Sequence, residues 1–224
     1  YSGTVSMGGM PSLGASSIVI DPKGVFQVEG TNDVNFPLSL VGGGLLNLTT
    51  TGTVSLNAAA GNFGGAIANS AGTLRVVNNS ALGGTGSDVT ISSGATLDVF
   101  GNNANLNKQF VVSGAGIGGL GAIINSAITG STNFIRNLRL AGDTTIGGPN
   151  RFDLFDQAGG NYGLLDMGGY TLTKTGASFV KISYVAPVAN VGNIVINGGQ
   201  LSLEATTDLG QSTGRTITVN NGGQ

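Results

Sequence analysis

Gly114-Ala-Gly-Ile-Gly-Gly119 has the spacing of a chemical site: it fits the GxGxxG pattern that wraps backbone around a pyrophosphate. A dinucleotide site also needs a helix N-terminus after the glycines and an acidic residue about 20 positions on. Neither follows. Gly121, Ala122 and the strand-like Ile123-Ile124 come next, and the side chains around Asn133–Arg139 are neutral or basic. With 41 glycines in 224 residues the match is expected by chance, so no cofactor is assigned.

Carboxylates offer a second chemistry. Asp153, Asp156 and Asp166 are the densest group, with Arg136, Arg139 and Arg151 nearby in sequence. β-Helical polysaccharide lyases and hydrolases set carboxylates and Arg or Lys on one outer face, and a glycosidase needs two carboxylates roughly 5–10 Å apart. Asp153 and Asp156 are separated by an odd number, so on one strand they point to opposite faces unless a turn intervenes. The competing reading is solvated charge at a corner. An active site here would rest on analogy of fold alone, and no catalytic residue is assigned.

Gly83-Gly-Thr-Gly-Ser-Asp88 approaches the GGxGxD phrase by which repeat β-rolls hold calcium. Those sites draw ligands from successive turns, and this phrase occurs once, which favours a plain turn. No metal is assigned. The chain has no cysteine, which excludes disulfides and thiolate sites, and no histidine, which removes the usual acid–base residue near neutral pH. Asn47-Leu-Thr49 and Asn78-Asn-Ser80 are formal glycosylation sequons, expected as background in a sequence this rich in Asn and Thr. Among the phenylalanines, Phe155 and Phe179 have outward parity and are the candidates for a partner surface.

The elements that must carry these residues are strands. No apolar run approaches the roughly 20 residues of a membrane helix. Disorder is disfavoured by 40% hydrophobic residues and a net charge of only −2. The Lys and Arg residues are scattered, which argues against a nucleic-acid footprint. Glycine and proline leave no room for long helices, whereas alternation with period two runs throughout. Gly3-Thr-Val-Ser-Met7 is echoed by Gly24–Val28 and Gly44–Leu48. Gly52-Thr-Val-Ser-Leu56 is echoed by Gly72–Val76 and Ala95–Val99. A longer phrase, Gly72–Val99, returns as Gly198–Gly223.

Steps of about 20–23 residues are the period of a solenoid. The chain is therefore expected to be all-β, a parallel β-helix over residues 1–224, in one continuous segment. Inward rungs in this reading include Leu74, Val76, Val89, Ile91, Leu97 and Val99. Charges mostly take the outward parity, at Arg75, Asp98, Arg139, Asp153 and Lys181. Arg136 shares parity with Leu138 and Leu140 and is placed at a corner. Gly148-Pro149-Asn150 and Gly159-Gly-Asn161 read as turns. The text begins and stops in mid-phrase, so a longer repetitive parent chain is expected.

The phrases AGDTTIGG, MGGYTLTKTGA, NIVINGGQLSL and AGTLRVVNNSALGG resemble the autotransporter-associated β-strand repeat of large bacterial surface proteins. The match covers Leu138–Gln224, with a second at Ala71–Val99; the first 70 residues share only the style. The family's Asn-Thr-Tyr-x-Gly-x-Thr phrase is replaced here by Ser183–Gly192. The resemblance implies a secreted right-handed β-helix at the bacterial cell surface, of passenger or adhesin type, and carries no catalytic residues. The function expected is a non-enzymatic stalk or fibre segment, with a polysaccharide-binding or -cleaving β-helix as the alternative. Expected partners are further copies or neighbouring solenoid segments stacked end to end, and cell-surface glycans, with no nucleic acid and no membrane span.

Overall fold

The structure is a computed structural model and describes residues 3–8, 17–60, 62–84, 86–103, 106–155, 162–185, 187–210 and 213–224. It is an all-β solenoid of parallel, stacked coils with three faces. The first face stacks Thr4–Met7, Val25–Val28, Leu45–Leu48, Ala66–Asn69 and Val89–Ile91, then parts of two long strands, Leu106–Gly114 and Ser131–Gly147, and finally Leu164–Asp166. The second face is the most continuous. It runs through Val34–Phe36, Thr53–Leu56, Thr73–Val76, Thr96–Asp98, Ile123–Ile124, the end of Ser131–Gly147, Leu172–Lys174, Ile194–Ile196 and Ile217–Val219. The third face begins with Ser17–Ile20 on Ser39–Gly42, and later stacks the start of Ser131–Gly147, Phe152–Leu154, Phe179–Ser183 and Gln200–Glu204.

The echoed phrases are the stacked strands. Val5, Phe26 and Leu46 lie in one column. Val54, Leu74 and Leu97 lie in another. Alternation puts every second side chain inward, and all six inward rungs named from sequence are at most 1% exposed. Early coils step by 20 residues, from Val34 to Val54 to Leu74. Later ones are longer than the repeat suggests: 26 residues separate Leu97 from Ile123, and 28 separate Ile146 from Lys174. The added length goes into corners, which leaves the ladder register intact.

Arg136 lies where expected, at a corner. Ile135, Leu138 and Leu140 are buried, so the inward parity switches between 135 and 138. The pairing with Leu106–Gly114 slips at the same point. Gly148-Pro149-Asn150 is a bend, with Gly148 at φ 94°. The Gly159–Asn161 turn lies outside the described residues.

Stacked corners come so close that some tolerate no side chain. A Cβ on Gly192 would land inside the contact distance of the Tyr170 carbonyl oxygen one coil away. Gly192→Ala should therefore destabilise the chain by about 1–3 kcal/mol through overpacking, read as a lower urea midpoint. Gly64→Ala, at a glycine with open space around it, should fall within about 0.5 kcal/mol of wild type.

Candidate functional site

The acidic group named from sequence is not one site. Asp153 is on the third face, while Asp166 and Arg139 pair in register on the first. Asp156 lies outside the described residues. Asp153 is 1% exposed, which corrects the picture of a solvated corner charge. Its carboxylate accepts two bonds from Arg151, Nε at 2.9 Å and Nη2 at 2.6 Å. The Lys181 ammonium stands 3.4 Å away, contributed by the next coil. The Arg151 guanidinium in turn lies 4.9 Å from the ring centroid of Phe179, a cation–π stack. A carboxylate held this way is an ion-pair anchor across coils. Phe179 keeps partial exposure, but Phe155 is 2% exposed and belongs to the core, against its outward parity. Phe155 has φ 68°, so the strand has already turned there and alternation no longer sets the side chain's direction.

A second anchor of the same kind forms on the second face. Asp98 is fully buried although its parity is outward, because the corner after Ile124 folds over it. The carboxylate accepts from Arg75 Nε at 2.9 Å, Phe100 N at 3.1 Å, Ser126 N at 3.0 Å and Ser126 Oγ at 2.6 Å. Arg75 stacks on Phe100, 4.8 Å from its centroid. Asn125 braces the same corner. Its Oδ1 accepts from Gly101 N and Ala127 N, and its Nδ2 donates to Thr129 O and Arg151 O.

The Gly83–Asp88 corner contains a cation of the protein's own. Lys108, fully buried, donates from Nζ to Ser87 O at 3.2 Å and Gly65 O at 3.4 Å. Burial lowers its pKa, and the nearby Asp88 partly offsets that. An ammonium at these carbonyls repels a calcium ion from the turn. Among the described residues no three acidic side chains converge. Gly114–Gly119 ends in a single 3-10 turn, Ile117–Gly119, with Gly118 at φ 60°. Strand Ile123–Ile124 follows it, so the helix N-terminus a pyrophosphate needs is not built. Of the two sequons, Asn47 uses its amide on Gln27 at 2.9 Å, and Asn78 caps a turn by accepting from Ser80 N.

Lys174 is the feature that sequence reasoning passed over. It shares parity with Leu172, points inward and is fully buried. Its ammonium is enclosed by Thr175 O at 2.7 Å, Gly176 O at 3.0 Å and Gly198 O at 3.0 Å, the last from the following coil. Three donors meet three carbonyls with no carboxylate involved, and burial pushes the pKa down to about 8. The signal in sequence is parity: Lys108 shares it with Phe110 and Val112, and Lys174 shares it with Leu172 and stands two residues before Gly176.

Comparison with known proteins finds no matching family model, no matching curated protein and no matching solved structure.

Proposed function

We propose that the chain is a rigid, non-enzymatic segment of a secreted or bacterial cell-surface solenoid of the autotransporter-associated type, serving as stalk or fibre. The observation that carries this reading is the second face: nine parallel strands in unbroken succession. At about 4.8 Å per coil these span roughly 40 Å of hydrogen-bonded rod. Among the described residues the buried carboxylates, Asp98 and Asp153, are committed to anchoring coils, which supports mechanical over catalytic use. A parallel ladder grows strand on strand, so neighbouring solenoid segments or further copies are the proposed partners. Cell-surface glycans are the proposed adhesion targets.

Electron microscopy of the purified chain tests the reading. Straight rods of uniform width, lengthening with concentration by end addition, are expected; compact particles without an axis would overturn it. A polysaccharide-cleaving role is tested separately on a glycan panel. No depolymerisation is expected, and cleavage lost in Asp153→Ala with the fold intact would replace the stalk with an enzyme.

A further inference from the structure

The phrase Asn-Gly-Gly-Gln occurs twice, as Asn197–Gln200 and Asn221–Gln224. Asparagine before glycine is open to attack by the following backbone nitrogen, because glycine has no Cβ to hinder its approach. By sequence the two pairs are equivalent. The fold separates them. Ile196 pairs with Val219, so Asn197 lies level with Asn220, and Gly199 bridges Gly223. Asn221 is the one extra residue of the second copy. It lies inside a turn that Gly223 N closes on Asn220 O at 2.9 Å, with Gly222 at φ 94°.

Asn197 follows strand Ile194–Ile196 and is exposed. Its Oδ1 accepts from Asn220 Nδ2 at 2.7 Å, a contact between successive coils. Among the described residues neither its Nδ2 nor the Gly198 N–H has a hydrogen-bond partner, so leaving group and nucleophile are both free. No backbone bond closes a turn across the Asn197–Gly198 pair. Gly198 is held through its carbonyl, which accepts from Lys174 Nζ at 3.0 Å. At the second copy nothing among the described residues donates to Asn221 Oδ1, and the closed turn restrains the pair.

We propose that Asn197 is a site of spontaneous backbone modification, at which Gly198 N closes on the Asn197 side chain and the side-chain amide is lost as ammonia. The Gly198 N–H gives its proton to a solvent base, and the nitrogen bonds to Cγ. Negative charge develops on Oδ1, where the Asn220 amide already donates and stabilises it. Collapse breaks the bond from Cγ to Nδ2, which takes a proton from water and leaves as ammonia. A five-membered succinimide remains, and water adds to either of its carbonyls. Breaking the bond from Gly198 N to Cγ gives an aspartate at position 197. Breaking the bond from Gly198 N to the main-chain carbonyl carbon gives an isoaspartyl link. Water enters and ammonia leaves, with no change of oxidation state. The isoaspartyl link inserts a methylene group into the backbone before Gly198. That insertion moves Gly198 O away from Lys174 and opens a contact between coils.

The test is incubation of the folded 224-residue chain in mildly alkaline buffer, followed by tryptic mapping with tandem mass spectrometry. Trypsin cuts after Lys181 and Arg215, so Asn197 and Asn221 fall on separate peptides, 182–215 and 216–224. Conversion at Asn197 is expected to run several-fold ahead of Asn221, with the isoaspartyl product labelled by an isoaspartyl methyltransferase. In urea, where only the shared sequence remains, that lead should disappear. Asn220→Ala, with an unchanged circular-dichroism spectrum, should slow conversion at Asn197 several-fold by removing the donor to Oδ1. Asn197→Gln, which needs a six-membered ring to close, should leave position 197 unconverted. The proposal is overturned if the folded chain converts Asn197 no faster than Asn221, or if an equal lead persists in urea. It is equally overturned if Asn220→Ala leaves conversion at Asn197 unchanged or speeds it. None of these outcomes depends on whether the chain forms a stalk, which microscopy decides.

Discussion

Asp98→Ala is expected to destabilise the chain by about 3–5 kcal/mol, the cost of removing one member of a buried charge network. The substitution takes away the acceptor for four donors from three places in the chain: Arg75, Phe100 and both donors of Ser126. Two of those donors are backbone N–H groups at corners, where no strand neighbour can take over. At about 2–4 °C per kcal/mol for a chain of this size, the melting temperature should drop by roughly 6–20 °C. Asp98→Asn keeps the shape but turns an amide toward one pair of donors, so it should fall between alanine and wild type. Arg75→Ala should cost less than Asp98→Ala, because Arg75 is 33% exposed and three donors still hold the carboxylate. Urea unfolding of the three variants gives the order. A loss below about 1 kcal/mol for Asp98→Ala would show that the anchor contributes little.

The anchor also shows where parity stops being a guide. Alternation identified the inward rungs because a strand's two faces are fixed by geometry, and the echoed phrases marked register because identical corners stack on identical corners. Outward parity on a strand implies solvation, yet Asp98 and Asp153 are buried. What covers them comes from a different coil: the Ser126 corner in one case, Lys181 in the other. Such contacts lie 28 residues apart and leave no periodic trace. The lengthened middle coils escaped for the same reason, since insertions go into corners where spacing is free. Charge type misled in the opposite direction for Lys108 and Lys174. A long side chain can run through the core and deliver its ammonium to carbonyls at a glycine corner, so an inward lysine violates no rule once the corner is counted as an acceptor.

Lys174→Met is expected to flatten the chain's stability profile between pH 8 and pH 10. In the folded protein burial lowers the Lys174 pKa from 10.5 to about 8, whereas the unfolded chain keeps the ordinary value. At pH 7 both states hold the proton and the folded state bears the full cost of a desolvated charge. As the pH rises past 8 the folded protein releases the proton first. The unfolded state then binds more protons, and stability increases with pH until the unfolded pKa is reached. The gain approaches about 3 kcal/mol over the whole interval at 1.36 kcal/mol per pH unit. Methionine fills similar volume with no proton to lose, so wild type should gain on the variant across that window. Lys108 is shifted in the same direction and contributes to both proteins, so the difference between the two curves isolates Lys174. At pH 7 the variant sheds a buried charge but leaves Thr175 O, Gly176 O and Gly198 O without its donor, two effects of opposite sign. The slope, measured by urea unfolding at four pH values, is therefore the discriminating quantity. Parallel curves would mean that the three carbonyls stabilise the ammonium enough to cancel its desolvation, and that the corner holds a permanent positive charge.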